Sequence, residues 1–407
     1  MPDVARSASG RVVDSWESLY RAAGEGAPLT GYYHRNYCVE LPHALAASVS
    51  LPAGTPVKLR APITDAVQFN LRIWPEGELL GAIAGRVNGS PRVLADRPGF
   101  TVHSFAEGDP LSEAVGHEGP VGLPYIDSLG ELFRQTTAVP SRLLPPCPED
   151  WPVDGDCPGF LHTLVDFTVS EVKGRHGKEY ESLFAALKVP DDAFGRLKER
   201  AEGLGERPFV LLHTDVHRGN LIAGADGRLS LIDWELALFG DPVYEIASHL
   251  SRMRYAKRAE RRAALRAWCT AVADSRPAAL AGHRDALRIY LDFERLQSVY
   301  IDVIRLALAF ARHPDRAGLE RTASGIEAVL RAARRPLGLR RVPSAGRITS
   351  ACVSWRHAAE AGRDSGPDSG PDSRAGGGAR TGADPGESGS AGTGSGESEP
   401  DAARRVA

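Results

Sequence analysis

Three oxygen-bearing side chains stand close together in one short stretch of this sequence. His213-Thr-Asp215-Val-His-Arg-Gly-Asn220 is followed, after a brief apolar interval, by Ile232-Asp233-Trp234-Glu235. Phosphoryl transfer from a nucleotide needs a carboxylate to orient the attacking hydroxyl and accept its proton. It also needs hard oxygen ligands, commonly a carboxylate and an amide, to hold magnesium against the phosphates. Asp215, Asn220 and Asp233 are the right types for those tasks. The elements that would position them are legible too. The apolar runs Phe209–Leu212 and Leu229–Ile232 read as strands, and Ala225-Asp226-Gly227 between them reads as a tight turn. Each residue alone has a plainer explanation: an acid before Gly-Asn bonds its own backbone, and an acid closing a strand caps a turn. Asp241-Pro242 likewise reads as N-cap and first-turn proline of a helix. The joint occurrence, in order and at close spacing, is what points to chemistry.

Bulk properties narrow the setting. A chain of 407 residues accommodates two lobes and a tail. With 49 basic and 52 acidic residues the formal charge is −3, which advertises neither a nucleic-acid nor a membrane partner. The basic amphipathic stretch Arg252–Arg262 reads as a solvated helix face. Met1–Arg11 lacks a signal-peptide core, and no apolar run is long enough to span a bilayer. Five scattered cysteines suit a reducing compartment, so a cytoplasmic location is expected. Cys147, Cys157 and His162 fit no zinc spacing.

An Asp followed by four residues and an Asn is the spacing of kinase catalytic loops. His213 to Asn220, Ile232 to Glu235 and Gly240-Asp241-Pro242 together resemble the signature of aminoglycoside phosphotransferases and their choline-kinase-like relatives. The resemblance implies an α+β, bilobal protein-kinase-like fold with a β-rich amino-terminal lobe and a mainly helical carboxy-terminal lobe. It implies Asp215 as the catalytic carboxylate that takes the hydroxyl proton, Asn220 and Asp233 as magnesium ligands, and ATP, or GTP, as phosphoryl donor. His213 is expected to bond loop backbone rather than do chemistry. Trp234 and Glu235 stand where protein kinases carry Phe and Gly, which favours the small-molecule branch. Glu245 replaces the usual Asp of the Gly-Asp-Pro-x-x-Asp pattern, which puts that helix's contacts in question.

In the amino-terminal part, residues 12–23 have helical spacing, and strands are expected over Thr30–Tyr33, Asn36–Leu41 and Pro56–Ala61 with a His34-Arg35 turn. There is no Gly-rich phosphate loop; the resemblance rests on Tyr33 to Tyr37. Lys58 and Arg60 project from one face of the third strand. The resemblance assigns one of them to the non-transferred phosphates, Arg60 by register and Lys58 as the alternative. Glu76, with Glu78 as the alternative, would hold that cation from the start of the next helix. The strands Pro91–Leu94 and Phe100–Phe105 lead to a hinge ending in Gly108, where Ser104 and Ala106 are implied to offer backbone contacts to the adenine.

In the carboxy-terminal part, helices are expected over Ser128–Thr137, Phe160–Val172, Asp191–Gly203, Ile289–Ala311 and Gly318–Ala333. The resemblance implies that the Pro-rich loop 140–159 shapes the acceptor pocket. It also implies that carboxylates such as Asp292, Glu294 and Asp302 surround a cationic acceptor, though which faces the cleft stays open. Beyond Pro343 the Gly/Ser/Pro/Asp composition reads as a disordered tail. The expected partition is therefore 1–107 nucleotide lobe, 108–342 catalytic and substrate lobe, and 343–407 tail. The expected activity is transfer of the γ-phosphate of ATP to a hydroxyl of an aminoglycoside-like antibiotic, amino sugar, amino alcohol or related metabolite. A catalytically silent, pseudokinase-like nucleotide- or metabolite-binding protein is the alternative.

Overall fold

A computed structural model describes residues 13–29, 33–63 and 69–364. All but Tyr33 of the expected strand Thr30–Tyr33, the Met1–Arg11 segment and the tail beyond 364 lie outside the described residues. Helix α1, Trp16–Ala23, opens on a Ser15–Ser18 capping box and buries Trp16 and Leu19. Strand β1, His34–Glu40, leads to a one-turn helix α2, His43–Ala46, and then to β2, Pro56–Pro62. His34 and Arg35 do not form a turn. They pair with Pro62 and Ala61 inside the β1–β2 ladder, and Leu29 bridges to Asn36. Helix α3, Glu76–Ile83, precedes β3, Val93–Arg97, and β4, Phe100–Ser104. The four strands make an antiparallel sheet in the order β1-β2-β4-β3.

The carboxy-terminal part is mainly helical. Strand β5, Asp109–Pro110, and helix α4, Leu111–Ala114, lead into α5, Leu123–Ala138. Helix α6, Cys157–Phe167, runs on through a π-helical segment, Thr168–Gly174, into α7, Arg175–Ala186. The expected single helix is therefore longer and locally underwound. Helix α8, Gly195–Ala201, then leads to β6, Val210–Leu212, β7, Leu221–Ala223, β8, Leu229–Leu231, and β9, Leu238–Gly240. These pair as the small sheets β5-β7-β8 and β6-β9. The helices α9, Pro242–Arg252, α10, Arg258–Ser275, α11, His283–Arg312, α12, Arg316–Ala333, and α13, Ala345–Asp364, complete the fold.

Two further points depart from the sequence expectations. A small core of α1 and the four-stranded sheet is separate from a large core that includes Phe69, Trp74, Leu79, Leu80 and Ile83. Helix α3 thus packs with the carboxy-terminal part, although it lies amino-terminal to residue 107. The disorder expected from 343 also fails for the segment that follows it. Residues 345–364 form α13, whose Ile348, Cys352 and Trp355 are buried. Three apolar side chains at helical spacing were enough to anchor a segment that composition alone marks as weak. None of the five cysteines is in a disulfide. No described helix is long and apolar enough to cross a membrane.

Candidate active site

The catalytic stretch folds as β6, a polar loop, β7, a turn and β8, so Asp215 and Asn220 sit in the loop and Asp233 just past β8. Asn220 Nδ2 donates to the Asp215 main-chain oxygen and to its Oδ2, each at 3.0 Å. That leaves the amide oxygen free to turn elsewhere. His213 is fully buried, donates from Nε2 to the Ile232 carbonyl at 3.0 Å, and accepts from the Asp215 N–H at 3.3 Å. It ties loop to strand, as expected. Thr214 and Asp233 hold left-handed backbone at φ 64° and 69°, strained for residues with a Cβ by about 1–2 kcal/mol each. The surroundings hold them there: Thr214 Oγ1 donates to Leu236 O at 2.8 Å, and its amide donates to Glu245 at 3.1 Å.

One face of α9 secures the loop. Glu245 Oε2 accepts the His213 and Thr214 amides at 2.6 and 3.1 Å. Ser248 Oγ donates to Thr214 O, and His249 Nδ1 donates to Val216 O at 2.9 Å. Arg252 places Nη1 3.6 Å from Asp215 Oδ1. The longer Glu245 therefore keeps its helix on the catalytic loop. Burial raises its carboxyl to about 7, against the two amides, which favour the charged form. Asp215 is the opposite case. Burial pushes its carboxyl up, but His217, at 3.4 Å, and Arg252 outweigh it and hold it well below the usual carboxylate range.

The amino-terminal sheet delivers its cation to the same place. Arg60 is buried, with Nη1 2.5 Å from Glu76 Oε2 and Nη2 2.7 Å from Asp233 Oδ1. Burial opposes its charge, but Glu76, Asp233 and Glu235 more than restore it. Glu76 also accepts the Trp234 amide at 2.9 Å, so one carboxylate at the start of α3 fixes both the cation and the backbone after Asp233. Lys58 has no ion pair among the described residues; burial and then Arg60 hold its ammonium below the ordinary range. Of the alternatives left open, Arg60 and Glu76 are the pair that meet. Glu235 was not singled out as a partner, yet it contacts His34 at 3.0 Å, Arg72 at 3.1 Å and Arg60 at 3.4 Å. The signal available for it was its place beside Asp233. For Glu245, Ser248 and Arg252 it was polar residues at helical spacing in an otherwise buried helix.

At the hinge, the Ser104 amide donates to Arg92 O at 2.8 Å. No hydrogen bond to a described residue uses either backbone group of Ala106. Gly108 follows at φ 125°, where a Cβ would lie 2.2 Å from Ala223 O, so only glycine lets this strand connection approach β7. Loop 144–156 packs on β6 and β9. Asp154 accepts the Phe209 amide at 2.6 Å, and Trp151 Nε1 donates to Phe239 O at 2.8 Å. It also takes a hydrogen bond from Trp74 at Pro146 O, 3.0 Å long, just before α3.

The oxygen donors fit magnesium. Asp233 keeps one carboxylate oxygen outside its contact with Arg60, and the Asn220 amide oxygen is free of described partners. Two protein ligands suffice for an ion that takes the rest of its shell from phosphates and water.

No curated protein matches the chain. Among solved structures the fold is similar to a macrolide 2'-phosphotransferase from Brachybacterium faecium, at 18% identity over 76% of this chain and 97% of that one, with a TM-score of 0.42. It is similar to a Plasmodium vivax ethanolamine kinase, at 14% identity over 76% and 80%, with a TM-score of 0.49. A third is an aminoglycoside phosphotransferase in ternary complex with AMP-PNP and hygromycin B, at 16% identity over 80% and 92%, with a TM-score of 0.44. The phosphotransferase enzyme family matches across residues 72–286, more than half of the chain. That span holds Glu76, Asp215, Asn220 and Asp233, and on this ground the chain belongs to the phosphotransferase enzyme family.

Proposed function

We propose that this phosphotransferase moves the γ-phosphoryl group of ATP, with GTP as the alternative donor, to a hydroxyl of a small molecule. Residues 1–107 hold the nucleotide, and 108–342 supply the catalytic groups and the acceptor pocket. The hydroxyl oxygen forms a bond to the γ-phosphorus as the bond to the β–γ bridging oxygen breaks. ADP leaves with that electron pair, and the acceptor proton passes to Asp215. The depressed Asp215 pKa keeps it an anion that orients the hydroxyl, so positioning outweighs basicity, as a loose transition state requires. Asn220 and Asp233 would hold magnesium, which when bound neutralises charge on the phosphate oxygens. Arg60, positioned by Glu76, faces the non-transferred phosphates, with Lys58 beside it. Ser104 and Ala106 offer backbone groups to the base.

The observation that carries this reading is the reach of Arg60 from β2 to both Glu76 and Asp233. It brings the sheet's cation to the acid behind the catalytic loop. The same contact also gives the silent, nucleotide-sensing reading its one support, because Arg60 already neutralises Asp233. The two separate in an assay of magnesium-dependent ADP release over a panel of hydroxyl acceptors, with wild type and Asp215→Asn. Acceptor-stimulated release that drops about a hundred- to ten-thousand-fold in the variant supports the kinase. Nucleotide binding with no stimulation by any acceptor supports the silent reading.

A further inference from the structure

Beside Asp215 lies a small pocket lined in part by Asn70, Phe167, Leu238, Tyr244, Arg252 and Gln297. Its free volume is only about 20 Å³, and polar groups of Asn70, Thr214, Tyr244, Arg252 and Gln297 share its lining with apolar side chains. Arg252 is held rigidly: its Nε donates to Ser248 Oγ at 2.9 Å, and Ser248 in turn donates to Thr214 O. Its terminal nitrogens stand 3.6 Å from Asp215 and 3.7 Å from Glu294, too far for hydrogen bonds. Their N–H groups make no hydrogen bond to a described residue, and the side chain is about a quarter exposed, at 27%. A fixed planar fork with open donors, next to the Asp215 carboxylate, is built to meet oxygen.

The carboxylates that could have met a cation are already matched within the chain. Asp292 contacts Arg200 and Arg295, each at 2.7 Å. Asp302 accepts from Ser298 and lies 3.7 Å from Arg305. Glu294, only 7% exposed, faces Arg252 and hydrogen-bonds Tyr244, and burial raises its pKa. Among the described residues, no acid of α11 is left to counter an ammonium group at this pocket.

We infer that the acceptor presents an oxygen function, neutral or anionic, to Arg252 and carries no cationic group there. Arg252 is thus an acceptor-binding and specificity-determining residue. This rests on the kinase reading above and deepens it. An ammonium at this position would face a fixed guanidinium, and like charges brought together in a partly desolvated site are rejected.

The test compares one set of hydroxyls in two charge states: a polyamino sugar and its fully N-acetylated form, together with a hydroxy-carboxylate and a hydroxy-lactone. Kinetics are measured on wild type, Arg252→Gln and Arg252→Lys, with the ATP Kd of each variant as a check of folding. Wild type is expected to favour non-cationic acceptors at least tenfold in kcat/KM. Arg252→Gln, which frees Glu294, is expected to raise the KM of those acceptors at least tenfold and shift relative preference toward the amine by a similar factor. Arg252→Lys keeps the rejection of amines but loses the fork, and falls between. Preference of wild type for the free amine overturns the inference while leaving the kinase intact. So does an equal loss of kcat on every acceptor in Arg252→Gln, which would place Arg252 on the transferred phosphate. Absence of turnover with every non-cationic member overturns it too, and only if the amines are also left unphosphorylated does the kinase reading fall with it.

Discussion

Asp215 and Glu245 are buried carboxylates within one hydrogen-bonded assembly, yet they titrate in opposite directions. Asp215 faces His217 and Arg252, whereas Glu245 faces two neutral amides and leaves its other oxygen without a partner among the described residues. Partner charge, more than depth, decides the sign. Glu245 at about 7 in the folded protein, against an ordinary 4.5, means that the folded state binds the extra proton between those values. Its stabilising contribution is present below the unfolded pKa and is lost as pH rises through 7, by about 3 kcal/mol. His213 and His249, lowered to about 4 by burial, act the other way, losing their contribution as pH falls below 6.5. Glu245→Gln isolates the carboxyl from them. The stability advantage of wild type over Glu245→Gln, from urea unfolding, is expected to shrink by about 3 kcal/mol between pH 5 and pH 8. A difference that stays flat would mean that this carboxyl titrates normally.

Helix α9 is the element on which the site depends. Its first turn is fixed by Asp241, which caps the Val243 amide at 3.0 Å and meets Arg207 Nε at 2.9 Å. Tyr290 from α11 donates to the same carboxylate at 2.9 Å. Arg207 and Asp241 are 1% and 0% exposed, so neither charge has water to fall back on. Asp241→Ala leaves Arg207 buried and unpaired and removes the cap. It is expected to destabilise the protein by about 3–5 kcal/mol, and to cost about 1 kcal/mol more through the cap. The double change Arg207→Met with Asp241→Ala is expected to recover part of that loss. Chemical denaturation of the three variants checks this, and additive losses would show that the two side chains act independently. Arg218 staples the other side of the catalytic loop, reaching the carbonyl oxygens of Gly116, Gly119 and Arg254. The loop is thus held from α9 behind and from the α4–α5 connection beside it.

Across the whole molecule, the two hydrophobic cores do not divide where the strands give way to helices. Helix α3 contributes Leu79, Leu80 and Ile83 to the larger core, so Glu76 is anchored to the part that carries Asp233, and Arg60 reaches it from the sheet. Helix α13 closes the far side. Trp355 stacks on Tyr180 with centroids 5.1 Å apart and donates from Nε1 to Glu179 O at 2.9 Å. Burying Ile348 and Trp355 contributes roughly 1.5–3 kcal/mol each. A chain ended after residue 343 is therefore expected to be about 3–6 kcal/mol less stable than the full chain, whereas one ended after 364 keeps full stability. Equal denaturation midpoints for the two truncations would show that α13 adds nothing.

Local sequence was enough for the catalytic stretch, because strand, loop, turn and strand follow one another within a few residues and each obeys short-range rules of pattern and turn chemistry. It was also enough for the Asp241-Pro242 helix start and for placing Lys58 and Arg60 on one strand face, whereas the docking of sheet on helix decided that Arg60 is the one that meets Glu76. It fell short wherever partners lie far apart in the chain. That Arg60 meets Asp233 across 173 residues, and that Arg252 neutralises Glu294, depend on how sheet and helices dock. The same holds for α13: composition marked the segment as weak, while three buried side chains and an aromatic partner on α7 made it a packed helix. Short-range spacing named the chemistry. Tertiary packing decided which charges remain open to a substrate, because desolvation and pairing act between groups that the sequence keeps apart.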